Sequence, residues 1–164
     1  MNKENLAKVI EAIKSLKPNK LAMNLWLTDN RAVAFDNCGT AGCIGGWAEA
    51  VAALNGSRQM AHSFLDLTPR EADDLFYIDL TRYEGTEDER DTYYTSINQA
   101  FTSIGIEAVR GNSLPELDTL DAEYRKAIVL NVLQILHDTG KVRWAEAITN
   151  TPKPLPITQP AKPE

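Results

Sequence analysis

The first apolar residues of the chain recur at the spacing of one helix face. They are Leu6, Val9, Ile10, Ile13 and Leu16. Lys8, Glu11 and Lys14 fall on the opposite face of the same helix, and Pro18 stops the run because proline does not continue a helix. The pattern therefore predicts an amphipathic first helix.

Two later segments are apolar on most of their circumference. In residues 41–54 the only charged side chain is Glu49, and Thr40 stands where a helix cap is expected. In residues 119–139 the middle is almost filled by aliphatic side chains, and Gly140 follows. Because a helix apolar all round must be covered on all sides, we predict two central buried helices that pack on each other.

The remaining segments predict shorter elements. Residues 24–36 indicate a minor hairpin, and residues 59–65 a short helix. Thr68, Pro69 and Glu71 form a strong helix start, with Thr at the cap, Pro at the first helical position and Glu three residues after the cap.

Beyond Phe76, polar residues predominate before the next apolar pattern. Residues 79–91 are acidic and predict a solvated loop. Helical spacing then returns from Tyr94 to Ile104, with Gly105 placed to close the helix, and Trp144 begins a short closing turn. The expected fold is all-α, with one helical domain over residues 1–150 and a proline-rich tail over residues 151–164.

Composition narrows the classes of function. The 164 residues carry a formal net charge of -6, the wrong sign for neutralising phosphates, so neither direct nucleic-acid binding nor an anionic membrane is expected. No apolar run reaches the length of a membrane span, and the N-terminus does not have the pattern of a signal peptide. Two cysteines make no disulfide framework, which favours a reducing host or bacterial cytoplasm.

The most unusual segment is Asn-Cys-Gly-Thr-Ala-Gly-Cys-Ile-Gly-Gly-Trp-Ala over residues 37–48. It resembles a pattern in uncharacterised phage and bacterial proteins: Cys-Gly-Thr, two variable residues, Cys-Ile, a small residue, Gly, Trp or His, then Ala. The resemblance continues in residues 65–76 and 127–144. It implies membership of a family whose function is unknown, and residues 81–117 look longer than that family's pattern.

Three interpretations of the two cysteines stay open. Cys38 and Cys43, with His62 or His137, would supply the nucleophile and base of a papain-like cysteine hydrolase, since a helix N-terminus favours the thiolate. The same four residues are of the types that bind zinc, although their spacing is unusual. The favoured interpretation is packing, in which small side chains in this segment let another helix approach closely.

The resulting expectation is a non-enzymatic helical protein that binds a protein partner, with no cofactor. The oligomeric state is left open. The candidate partner-binding residues are acidic side chains between the two central helices, because an acidic face attracts a basic partner. They are Glu84, Glu87, Asp88, Glu89 and Asp91.

Overall fold

Helices make up most of the chain over residues 1–23, 43–76, 86–106 and 117–153, which the computed structural model describes. In chain order the α-helices among these residues are α1 (Lys3–Ser15), α2 (Ile44–Leu54), α3 (Ala61–Leu65), α4 (Pro69–Phe76), α5 (Glu87–Ser103), α6 (Ala122–Thr139) and α7 (Trp144–Asn150). Short 3₁₀ turns occupy Pro18–Lys20 and Leu117–Thr119. The predicted all-α fold is confirmed. The predicted hairpin lies outside the described residues.

Local capping explains where α4 begins and where α6 begins and ends. At the start of α4, the Thr68 backbone N–H donates to the Glu71 carboxylate at 2.8 Å, and the Glu71 N–H donates back to the Thr68 hydroxyl at 3.3 Å. This is the predicted capping box. At the start of α6, Asp121 accepts hydrogen bonds from two backbone amides of the first turn. Gly140 ends α6 in the left-handed conformation, at φ 72°, which glycine adopts without strain.

The predicted acidic loop is wrong over residues 87–91, which form the first turns of α5. Thr86 and Glu89 make a second capping box, at the same spacing as Thr68 and Glu71. Acidic side chains in a first turn also face the positive end of the helix dipole. The negative charge therefore favours the helix here.

The start of α2 differs from the prediction as well. The helix begins at Ile44 rather than at residue 41, and Cys43 is the N-cap residue, with extended backbone at ψ 177°. The first helical hydrogen bond runs from the Trp47 N–H to the Cys43 carbonyl at 3.0 Å. The N-cap of α2 is therefore Cys43 and not the predicted Thr40. The burial predicted for this helix is confirmed, since every residue except Glu49 and the last two is buried.

The predicted pairing of the two apolar helices is wrong. Among the described residues, α2 and α6 make no extensive contact with each other, and both pack against α1. Leu6, Val9 and Ile13 of α1 are fully buried. The apolar face of the amphipathic first helix thus supplies a surface on which both apolar helices pack.

Polar contacts also join α1 to its neighbours. The Lys126 ammonium of α6 donates to the backbone carbonyls of Lys14 at 2.8 Å and Leu16 at 2.5 Å. These are carbonyls at the C-terminal end of α1, which lack helical partners and attract a cation. The Trp47 indole of α2 donates to the Lys20 carbonyl at 3.2 Å. The C-terminal end of α1 is therefore tied to α6, and the 3₁₀ turn that follows it is tied to α2.

The opposite side of the core is closed by α7, which packs against α5 and α6. The segment predicted as a closing turn is thus a helix. Trp144 is fully buried, and its indole donates to the Asp74 carbonyl of α4 at 2.7 Å.

Residues 151–153 pack against the helical domain. Thr151 is buried, and the Lys153 ammonium donates to the Ile104 carbonyl at 2.7 Å. The rest of the predicted tail lies outside the described residues.

The longest described helix, α6, is buried along one face rather than all round. Ile128, Val129 and Leu133 are fully buried, whereas Ala127 is exposed and Leu130 only half-buried.

None of the described helices combines the length and the apolar character needed to cross a membrane.

We expect Ile13→Ala to lower the free energy of unfolding by about 2 to 5 kcal/mol, because it leaves a cavity where α1 meets its neighbours. Glu11→Ala, on the exposed face of the same helix, is the matched control, with an expected change below about 1 kcal/mol. Urea unfolding followed by circular dichroism measures both. Equal losses in the free energy of unfolding for the two substitutions would contradict the conclusion that the buried face of α1 stabilises the core.

Candidate functional site

Cys43 is a buried thiol at the N-terminus of α2. It is free of any disulfide, and only 3% of its surface is exposed. Burial raises the pKa of this thiol above its ordinary value of 9.0, while the nearby backbone amides of Gly46 and Gly45 act in the opposite direction. The loss of water thus outweighs the helix N-terminus, and the neutral thiol is favoured.

A buried neutral thiol is the state that the packing interpretation predicts for Cys43. A nucleophilic cysteine requires a thiolate that a substrate can reach, and this position supplies neither feature. Cys38 lies outside the described residues.

The two histidines stand in separate places. His62 is half-buried on α3, beside Glu49 of α2 and Asp73 of α4. His137 lies in the last turn of α6, where its Nδ1 is 2.9 Å from the carboxylate of Asp138. Within the described part of the chain, His, Cys, Asp and Glu side chains form no group of three or more suited to hold a metal ion. Cys43, His62 and His137 are therefore not brought together as a ligand set.

The acidic candidates are grouped at the start of α5. Glu87, Asp88, Glu89 and Asp91 are all exposed there, and Glu84 lies outside the described residues. Arg90, between them, approaches Glu87 and Asp91 at 3.6 Å each. Four carboxylates against one guanidinium leave this turn and a half of helix with a formal charge of -3.

The acidic start of α5 is influenced electrostatically by Arg70 of α4. Hydrogen bonds from Thr86 lower the pKa of Glu89, and the Arg70 guanidinium of α4 lowers it further. Arg70 also acts on Asp74, whose pKa is nevertheless raised because burial has the larger effect. The Arg70 guanidinium of α4 therefore acts electrostatically on carboxylates of both helices.

A groove between α3 and α4 was not foreseen from the sequence. Its apolar residues include Met60, Ala72 and Phe76, and Glu49, His62 and Asp73 are its polar residues. Ala72, Asp73 and Phe76 share one face of α4, a spacing that the sequence shows. The groove itself depends on how α3 packs, which the spacing does not reveal.

Comparison of the chain with protein-family models, with curated proteins and with solved structures found no match.

We expect Cys43 to react slowly with a thiol-specific disulfide reagent, because the folded protein shields it and favours its neutral form. In the Cys38→Ser background at pH 8, the native protein should react roughly a hundredfold or more slowly than the denatured protein. Absorbance of the released thiol measures the rate. Fast stoichiometric labelling of native protein would contradict the packing role.

The raised pKa of Cys43 also predicts a pH dependence of stability. The neutral thiol fits the folded state, so its contribution is complete below the ordinary pKa of 9.0 and is lost as the pH rises through the higher folded pKa. Relative to Cys43→Ala, both in the Cys38→Ser background, the Cys43 protein should lose stability on alkaline titration. Thermal unfolding measures the melting temperature of both proteins as a function of pH. Melting temperatures that change in parallel for the two proteins would contradict this prediction.

Proposed function

We propose that the protein is a non-catalytic helical binding domain that engages a basic protein partner through the acidic start of α5. The observation that carries the proposal is the exposure of Glu87, Asp88, Glu89 and Asp91 at a capped helix end. Charges held on a helix keep a fixed spacing, so they can match a complementary basic surface, attract it over a distance and favour it over acidic competitors.

The buried state of Cys43 supports a binding function over a cysteine hydrolase. His62 and His137 lie apart from each other, so they do not support a zinc-binding function. The resemblance of residues 37–48 to phage and bacterial proteins suggests the origin of the chain. A free buried thiol suits a reducing compartment, and the proposal therefore includes a cytoplasmic location.

Neutralising the α5 start should weaken binding of a basic peptide. The variant Glu87→Gln/Asp88→Asn/Asp91→Asn keeps the Thr86–Glu89 capping box intact. Its affinity for a fluorescein-labelled oligolysine peptide at low salt should fall roughly three- to tenfold, since each exposed ion pair contributes little by itself. Fluorescence anisotropy measures the affinity, and circular dichroism checks that the helix content is unchanged.

A control variant separates a local site from a general attraction to an acidic protein. Glu11→Gln/Glu123→Gln/Asp138→Asn changes the net charge by the same amount at exposed positions on α1 and α6. It should bind the oligolysine peptide nearly as well as the unaltered protein. Equal losses for the two variants would show that only the net charge matters and would overturn the proposed site.

A further inference from the structure

The groove between α3 and α4 has a buried apolar floor and one exposed apolar edge. Ala72 and Phe76 are buried, whereas the Met60 side chain beside them is 61% exposed. Leu54, at 55%, is the other large hydrophobic residue exposed in the described part of the chain. Leu54 ends α2 and Met60 immediately precedes α3, so both flank the same connection.

The size of the groove limits what it can hold. Its volume is about 230 Å³, below the roughly 300–1,000 Å³ of pockets that enclose small molecules. With Met60 open to solvent, a ligand there would be held on one side only. A single long side chain presented by another protein fits this shape better than a free metabolite.

Carboxylates select the charge of that side chain. Glu49 is held at the groove because its carboxylate accepts a hydrogen bond from the Ala61 N–H at 3.3 Å, at the first residue of α3. Asp73 reaches the groove from α4. Two carboxylates beside an apolar floor suit a side chain with an aliphatic stem and a cationic end, since such a chain buries its stem and keeps its charge at the rim.

We propose that the groove receives a lysine or arginine side chain of a protein partner, with the stem on Met60, Ala72 and Phe76 and the cation at Glu49 and Asp73. This inference rests on the proposed function in taking the partner to be basic. It adds a second, partly apolar contact on α3 and α4, apart from the acidic start of α5. The aliphatic contact makes it less sensitive to salt than a purely ionic site.

The three methionines offer a direct test. In protein labelled with ¹³C at the methionine methyl groups, Met60 reports on the groove, while Met1 and Met23 pack against the core and serve as internal controls. The probe is Nα-acetyl-lysine amide, titrated into the millimolar range. Its uncharged counterpart, Nα-acetyl-norleucine amide, has a similar stem without the cation. The lysine probe should shift the Met60 signal selectively, and the norleucine probe should shift it less.

Charge-neutral variants sharpen the test. Asp73→Asn and Glu49→Gln keep the side-chain shapes, and the amide oxygen that Glu49→Gln introduces would still accept the hydrogen bond from the Ala61 N–H. Each variant should weaken the lysine-induced shift about two- to fivefold. Asp88→Asn, a matched neutralisation on α5, should leave it unaltered. Unchanged Met1 and Met23 signals in each variant show that the fold is retained.

The outcomes separate the groove from the α5 site. No Met60 shift, an equal shift with both probes, or no effect of Asp73→Asn and Glu49→Gln would overturn the groove proposal. The α5 triple variant should retain the lysine-induced shift. If oligolysine binding proves indifferent to that variant while the Met60 titration behaves as expected, the proposed function fails at α5 and the groove proposal stands.

Discussion

The burial of one face of α1 is the constraint on which the rest of the described fold depends. The apolar residues of this helix meet α2, α3 and α6, and each end is held by polar contacts. At the N-terminal end, the Asn2 N–H donates to the Leu65 carbonyl at 2.7 Å, and the chain's terminal ammonium pairs with Asp66 at 3.1 Å. At the C-terminal end, Lys126 binds the free carbonyls. The elements packed around α1 are thereby fixed relative to one another.

This arrangement leaves the binding candidates on surfaces that the core does not use. Because α3 is held by α1 and α2, Glu49 can cap α3 while bordering the groove. α4 is tied to the far side of the core through Trp144, and its Arg70 acts electrostatically on Glu89 of α5. The groove and the acidic start of α5 thus lie on elements whose packing is set by the core.

Cys43 shows how burial decides the chemistry of a residue type. A cysteine at a helix N-terminus gains from the dipole and from nearby amides, which favour the thiolate. Here desolvation has the larger effect, because the thiol is enclosed where α2 joins the core. The same residue at an exposed helix start would titrate in the opposite direction. The position of a cysteine in the sequence therefore indicates where a thiolate can form, and the access of solvent to the thiol determines whether it does.

The sequence by itself determined the elements whose signals are local: the amphipathic α1, the Thr68–Glu71 cap of α4, the burial of α2 and the glycine end of α6. The Thr86–Glu89 cap has the same local signal, although its acidic surroundings suggested a loop. Tertiary structure decided which helices pair, since apolar faces are not specific for one another, and α1 covers both apolar helices. It also decided the pKa of Cys43 and the groove at Met60, because burial and concavity depend on residues distant in sequence.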